Sequence, residues 1–507
     1  MPLWPHQERG VAAVLARQAA GVRTLCLTSP TGMGKSKIVE TLIRQWVGAG
    51  HRVILYTNRK MLLDQLGKGL DAAGIRYGVR AAGHGRADAE YVQLASFQTE
   101  GKRAVRDKVQ DIYPADRVVI DEAHVNAGIE AQKILARHLA AGAYLLGVTA
   151  TPIDLGDVYG ELVVAGTTSE GRTCGALVPA VHFGPDEPDV RAVKNWKPGV
   201  DLSENQQKGL WPMGRPLFGR VYESWKKLNP DGRPTILFAS GVRESVWFAE
   251  EFRKMGVTAA HIDGQDVWVN GTWFTSSRDA RQEVMDGSQA GRVRVVCNRF
   301  VLREGIDAPW LAHGIFATVF GSLQSYLQSG GRLLRASPGL DAVTVQDHGG
   351  NWWRHGSLNA DRTWELTWPP SRYAAAREDA MRDLVPDAKP YRCPGCGQVL
   401  AVRRCPGCGF EAAPGKRPRI VAQTDGALVP AADDPFPARR VAVRVDTADL
   451  WKRTYFRLRN TDMTFRQAYG LFAHENHYWP PRTLPFMPTR AGDWHRRVKD
   501  VPRAELY

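Results

Sequence analysis

Residues 28–37 read Thr-Ser-Pro-Thr-Gly-Met-Gly-Lys-Ser-Lys. They follow an apolar run, Thr24 to Thr28, and precede a helical-looking stretch from Ile38 to Trp46. A strand, a glycine turn ending in Lys-Ser and then a helix describe a phosphate cradle, in which backbone N–H groups at a helix N-terminus point at phosphate oxygens. The strict pattern asks for Gly, four residues, then Gly-Lys-Ser/Thr, and here Ser29 holds the first place. Gly32 and Gly34 still free the backbone, Lys35 would neutralise the β- and γ-phosphates, and the Ser36 hydroxyl would hold Mg²⁺. Thr31, Met33 and Lys37 complete the candidate nucleotide contacts of this loop. On the stretch alone, a glycine turn with an incidental Lys-Ser stays open.

Further along, Val118-Val-Ile-Asp-Glu-Ala-His124 is an apolar strand ending in two carboxylates and an imidazole. A strand end beside a phosphate loop is where a second Mg²⁺ contact must come from, and Asp121 fits that place. Glu122, one residue further out, is placed to polarise an attacking water. Acidic residues after a strand also occur as ordinary loop starts; the pairing with the phosphate loop decides between the two.

The surrounding chain has a βαβ rhythm. Thr24–Thr28, Val53–Thr57, Val118–Ile120 and Tyr144–Thr149 form one series of short β-rich runs. Thr235–Ala239, Ala259–Ile262, Val293–Cys297, Ile315–Thr318 and Ala342–Gln346 form a second. Parallel sheets covered by helices are the simplest reading, so the fold class is α/β with two tandem domains. With 507 residues the chain is too long for one core. A net charge of +14 favours a polyanionic partner. Apolar runs such as Ala143 to Val148 stop well short of the ~20 residues needed to span a bilayer, so no membrane is expected. The N-terminus lacks the basic and apolar regions of a signal peptide, and the cysteine usage suits a reducing cytosol.

Past these two motifs the sequence resembles the DEAH-type superfamily-2 helicases and translocases, over roughly residues 1–350. His6-Gln7 resembles that family's adenine-reading glutamine. Thr57-Asn58-Arg59 and Ser96-Phe97-Gln98-Thr99 lie where the family grips the nucleic-acid backbone, and the resemblance gives Ser240 and Arg303 the same role. Thr149-Ala-Thr151-Pro152 resembles the motif that, with His124, couples the nucleotide site to the strand. Arg303-Glu-Gly305-Ile-Asp307-Ala-Pro309 and Gln328-Ser-Gly-Gly-Arg332-Leu-Leu-Arg335 complete the set, Gly305 and Asp307 falling on the nucleotide side. The resemblance implies two RecA-like domains, ATP and Mg²⁺ as cofactors, and hydrolysis coupled to movement. Arg332 and Arg335 are three apart, a spacing that shares one helix face; they could reach across an interdomain cleft as arginine fingers, with Gln328 orienting water. Arg303 and Ser329 depart from the family, at positions where many relatives carry a small hydroxyl residue and an arginine.

Cys393-Pro-Gly-Cys396-Gly and Cys405-Pro-Gly-Cys408-Gly are matched knuckles separated by eight residues. Four thiolates suit tetrahedral Zn²⁺ in a closed structural site; a redox Cys-x-x-Cys pair is the rival. Cys26, Cys174 and Cys297 have no partner pattern, and Cys26 and Cys297 read as core. Residues 439–507 hold fourteen Lys/Arg and seven Asp/Glu. The ring spacings 451/455 and 465/469/472 give one helical face, a small core in preference to a base-stacking platform. The expected domains are 1–170 and 171–368 (RecA-like, ATP-binding in the first), a linker 369–390, a zinc ribbon 391–412, a linker 413–440 and a basic helical tail 441–507.

A helicase core followed by a four-cysteine module and a basic tail resembles the bacterial RadD-type repair helicases, Asp347-His-Gly-Gly-Asn351 adding to that similarity. Phage branch-migration helicases of the UvsW type share the core. These resemblances imply an ATP-dependent DNA helicase or translocase in repair, recombination or replication, acting as a monomer in a bacterial or phage-infected cytoplasm. Forked or branched DNA is the implied partner, with RNA left open, and single-strand-binding or recombination proteins are candidate associates. Two rivals stand: a duplex translocase subunit of a restriction-type system, and a zinc-dependent nucleic-acid-binding protein with a vestigial ATPase. Finally, Val267-Trp-Val-Asn-Gly-Thr-Trp-Phe274 predicts a hairpin with a type I′ turn at Asn270-Gly271 and Trp268 and Trp273 on one face. It reads as an edge hairpin packing those rings onto its own domain, or as a strand-separating pin.

Overall fold

The computed structural model describes residues 3–57, 60–84, 88–124, 129–184, 199–210, 215–303 and 308–373, with shorter stretches beyond. Up to Phe436 these form one unit, and Pro437–Tyr507 forms another.

The first sheet has seven strands: β1 (Thr24–Thr28), β2 (Val53–Thr57), β3 (Gly78–Arg80), β4 (Val92–Ser96), β5 (Arg117–Asp121), β6 (Tyr144–Thr149) and β7 (Glu161–Val164). Their order is β3-β4-β2-β5-β6-β1-β7, every pairing parallel. A parallel sheet covered on both faces needs apolar residues at every position, which is why β2, β4 and β6 are buried throughout. Alternate residues serve alternate faces. Leu25, Leu27, Val53 and Leu55 pack under the helices Pro5–Ala19 and Lys35–Gly48, whereas Cys26, Ile54 and Tyr56 pack with Ile134 and Leu135 of the helix Ile129–Ala140.

The second sheet contains β8 (Ala180–Gly184), β9 (Thr235–Ala239), β10 (Ala259–Ile262), β11 (Asp266–Val269), β12 (Thr272–Thr275), β13 (Val295–Asn298), β14 (His313–Ala317) and β15 (Val343–Asp347). Three short strands, β16 (Tyr391–Arg392), β17 (Val399–Leu400) and β18 (Val429–Ala431), extend it. The order is β12-β11-β10-β13-β9-β14-β15-β8-β18-β17-β16. The centre, β10 to β8, is parallel; the hairpin β11–β12 closes one edge and β18 runs antiparallel to β8 at the other. Residues 429–431, read from sequence as linker, are therefore a strand of this sheet.

Among the described residues, two passages join the domains. The chain crosses outward at 174–179. It returns after the helix Asn351–His355, where residues 361–368 lie along the first domain as a strap. Leu366 is buried in the first domain's core beside Leu155 and Tyr159. Its carbonyl accepts from Leu155 N at 2.8 Å and Gly156 N at 3.0 Å, and Trp368 O accepts from Asp154 N at 3.1 Å. Asp361 Oδ1 accepts from Ser169 N at 2.8 Å.

The expected type I′ hairpin is present: Asn270 and Gly271 both have positive φ, and Trp268 pairs directly with Trp273. Trp268 is buried against Phe252 and Phe248, while Trp273 and Phe274 are half exposed. Asn270 accepts from Ala259 N through its side chain, so the turn lies at the N-terminal end of β10, away from the end that carries Asp263. Trp268 is an anchor of its own domain, as the edge-hairpin reading expects.

In the second unit Trp451, Tyr455, Leu458, Phe465, Ala468 and Val498 form a small buried core beside the helix Phe465–Asn476. The aromatic spacing thus marks packing for the rings described. Cys26 and Cys297 are buried in strands, as the core reading expects.

Candidate nucleotide site between the two domains

The loop after β1 turns through Gly32 and Gly34, whose φ angles of 93° and 73° lie in the left-handed region that favours glycine. The helix then begins at Lys35, so its first N–H groups face the cleft. Gly32, Lys35 and Ser36 line a cavity of about 360 Å³ with Asp121 and Glu122 at the end of β5. Arg332 and Arg335 of the second domain line its other side. Thr31 and Lys37 also border it; Lys37 pairs with Glu40 at 2.7 Å.

Charge in this cleft is mutually held. Burial pulls the Lys35 ammonium down to about 8, against the opposing effect of Glu122 and Asp121. Burial likewise pushes Asp121 up to about 7, Glu122 adding to the rise and Lys35 opposing it. Lys35 Nζ donates to Ser29 O at 2.9 Å and Pro30 O at 3.3 Å, which holds it across the mouth of its own loop. Glu122 has φ +48°, a left-handed conformation uncommon for a residue with a Cβ, and strain of this kind clusters at functional sites. The next amide, Ala123 N, is fixed to Val148 O of β6 at 3.0 Å.

A relay crosses the cleft behind the carboxylates. Gln328 Nε2 donates to His124 Nε2 at 2.7 Å. An imidazole accepting at Nε2 carries its proton on Nδ1, which lies 2.6 Å from Thr149 Oγ1 and 3.5 Å from Glu122 Oε2. Thr149 Oγ1 also accepts from Thr151 N at 3.0 Å, and both threonines are buried. His124, Thr149 and Thr151 are brought together as the motif resemblance implies. Gln328, expected to orient water, reaches the histidine with its amide nitrogen.

The arginines depart from the helix-face expectation. The helix Leu323–Gly331 ends before either: Arg332 is its C-cap, and Arg335 is in extended backbone bridged to Leu177. Beyond the helix end, the crossover holds the Leu334 carbonyl with Val178 N at 2.8 Å. Both guanidinium groups still border the cavity, by two different backbone routes.

Other expected contacts are distributed more widely. Gln7 is buried behind the loop, its amide donating to Met33 O at 3.2 Å and Gly34 O at 3.5 Å, with Oε1 accepting from Trp4 N. Met33 is fully buried in the core of the second domain. Thr57, Ser96 and Ser240 are buried at the C-terminal ends of β2, β4 and β9, while Gln98 is exposed and Thr99 half-buried. Arg303 ends a short 3₁₀ turn, Val301–Arg303. Asn58, Arg59, Gly305, Asp307 and the four cysteines Cys393, Cys396, Cys405 and Cys408 lie outside the described residues; among those described, no cluster of metal ligands occurs. Sequence reading missed Leu177 and Leu366, because apolar residues carry no motif and reveal a role only through contacts.

Chemically, the cleft gathers three cations and two carboxylates around one cavity. Lys35, Arg332 and Arg335 suit a triphosphate, and Ser36 with Asp121 suit Mg²⁺, a cation that takes oxygen ligands. A bound Mg²⁺–nucleotide would supply the phosphoryl group; the residues lining the cavity offer cations for its charge and, in Glu122, a carboxylate within the same space.

Residues 1–154 match the family described as type III restriction enzyme, res subunit, and residues 221–337 match the helicase conserved C-terminal domain. A 51.5 kDa protein of Lactococcus phage (isolate 7-9) is 25% identical over 348 residues, covering 67% of this chain and 68% of that protein. The fold is similar to that of the ATP-dependent Type ISP restriction-modification enzyme LlaBIII bound to DNA, with TM-score 0.52 and 16% identity over 77% of this chain. It is also similar to a fragment described as an HsdR subunit of a type I restriction enzyme from Vibrio vulnificus YJ016, with TM-score 0.51 and 16% identity over 72% of this chain. These matches span 31% and 66% of the two structures' own chains. Two parallel-sheet domains, motifs in fixed order and these two family matches support a superfamily-2 helicase core over residues 1–154 and 221–337.

Proposed function

We propose that the protein is an ATP-dependent DNA translocase or helicase. The observation that carries this reading is one cavity bordered by Lys35, Asp121 and Glu122 from one domain and Arg332 and Arg335 from the other. A cleft whose halves belong to different domains closes when a triphosphate bridges them and loosens after hydrolysis, and that cycle drives movement along a strand. The DNA-bound state of the Type ISP enzyme and the charge of +14 support DNA as the track. Gln7 is proposed to read adenine, Gly305 and Asp307 to border the nucleotide, and Thr57, Asn58, Arg59, Ser96, Gln98, Thr99, Ser240 and Arg303 to touch the backbone.

The finer role rests on resemblance: remodelling of forked or branched DNA in repair, recombination or replication, as in RadD- and UvsW-type helicases. The restriction-type family match and two restriction-enzyme folds favour a second reading, a translocating subunit serving a partner nuclease. Cys393, Cys396, Cys405 and Cys408 are proposed to hold one structural Zn²⁺. The four-cysteine spacing supports this reading.

ATP hydrolysis measured with single-stranded, duplex, forked and four-way DNA, and with RNA, tests the proposal. Stimulation by forked and four-way DNA above duplex supports remodelling. Stimulation by duplex alone supports the restriction-type reading, and no hydrolysis with any of them overturns the motor.

A further inference from the structure

We propose that Leu177, in the passage between the domains, is a positioning residue that sets how Arg335 meets the phosphate loop; this rests on the reading of the cleft as an ATPase site. Leu177 and Arg335 form an antiparallel bridge. Val178 N donates to Leu334 O at 2.8 Å and Ala336 N to Ala176 O at 3.1 Å, so hydrogen bonds flank the bridge on both sides. The backbone that carries Arg335 is therefore a rung of the crossover itself.

The Leu177 side chain does the spacing. It is 3% exposed and belongs to the same core as Met33 of the phosphate loop. A Cβ placed on Gly32 would stand 2.9 Å from Leu177 Cδ2 and 3.0 Å from Arg335 Cγ. One placed on Gly171 would stand 2.7 Å from Leu177 Cδ1 and 3.0 Å from Met33 Sδ. Leu177 is thus wedged between Gly32, Met33 and Gly171, with the aliphatic stem of Arg335 alongside. Packed interiors transmit such displacements. When the crossover turns, Leu177 bears on the loop that carries Lys35 while its backbone carries Arg335, so closure of the cleft brings the two cations into one defined relation. Removing the wedge lets the loop and the arginine shift independently, and a displacement of about 1 Å at a reacting centre costs on the order of 100-fold in rate.

The test uses the full chain with DNA present. Leu177→Ala is expected to lower kcat for ATP hydrolysis by about tenfold or more while KM for ATP stays within about threefold, the pattern of a group acting on the transition state. Leu177→Met, which conserves volume, is expected to restore kcat. In an Arg335→Lys background, which retains a cation, Leu177→Ala is expected to add little further loss. Losses that multiply in the double variant overturn the proposal, because Leu177 would then act apart from Arg335. Should Leu177→Ala lose its cooperative melting transition, Leu177→Val is judged by the same criteria. Unchanged hydrolysis in the Leu177 variants beside an active wild type overturns this inference alone. A wild type that hydrolyses no ATP overturns the site reading and the inference with it.

Discussion

Gln328 of the second domain donates its side-chain amide to His124 of the first at 2.7 Å, and the opposite nitrogen of that imidazole lies 2.6 Å from Thr149 Oγ1. One hydrogen-bonded line therefore joins the helix Leu323–Gly331, the carboxylate motif and the end of β6. If this line couples the domains, Gln328→Ala and His124→Ala should each reduce DNA-stimulated hydrolysis more than basal hydrolysis. The double variant should be no worse than the poorer single, a coupling energy of about 1 kcal/mol or more. Additive losses in a double-mutant cycle would count against a shared path.

Lys35→Ala should abolish hydrolysis, since the phosphate chain loses its central cation. Glu122→Gln should still bind ATP while turnover falls by about 10²-fold or more, the range for removing a general base. Radiolabelled phosphate release and nucleotide binding by filter retention separate the two. Normal turnover in Glu122→Gln would remove water activation from that residue.

Arg335→Ala should lose hydrolysis while ATP affinity changes within a few fold, because a finger acts on charge that develops in the transition state. The measurement is kcat beside a directly titrated Kd for ATP. A large rise in Kd with unchanged kcat would make Arg335 a binding residue only.

The hairpin tryptophans should behave oppositely. Trp268 is 2% exposed and packs in the core, so Trp268→Ala should cost about 3–5 kcal/mol in thermal or denaturant unfolding. Trp273 is 52% exposed, and Trp273→Ala should stay within about 0.5 kcal/mol. A sharp loss of unwinding in Trp273→Ala, with stability and ATPase kept, would revive the strand-separating role.

Metal analysis of protein purified under reducing conditions without chelators should find one Zn²⁺ per chain. Cys393→Ser or Cys405→Ser should lose it with Lys35-dependent hydrolysis intact. Protein without bound metal would remove the zinc site.

The elements carrying motifs were legible because their chemistry is local. β1, β2, β6, β9 and β10 occupy the ranges that their apolar runs imply, and the Asn270-Gly271 turn follows from two residues tolerant of positive φ. The arginine spacing misled for a physical reason. Arg332 and Arg335 are helically spaced, but Val178 and Ala176 compete for the same backbone groups and draw Arg335 into a bridge. Gln328 has an equal choice of water or imidazole in sequence, and only the fold brings His124 within reach. β18 was invisible because three residues, Val-Pro-Ala, have no periodicity to read.

The strap through Leu366 makes the motor a closed circuit. The polypeptide leaves the first domain near Cys174 and comes back to seat a leucine in that domain's interior, so the two halves are bound like a book stitched at no fewer than two points along its spine. Two fixed points on a common line permit swivelling about that line and oppose sliding apart. It also means that residues 1–170, expressed alone, would leave a leucine-shaped gap beside Leu155 and Tyr159. The smallest piece able to complete the first domain's interior is one that already includes the second.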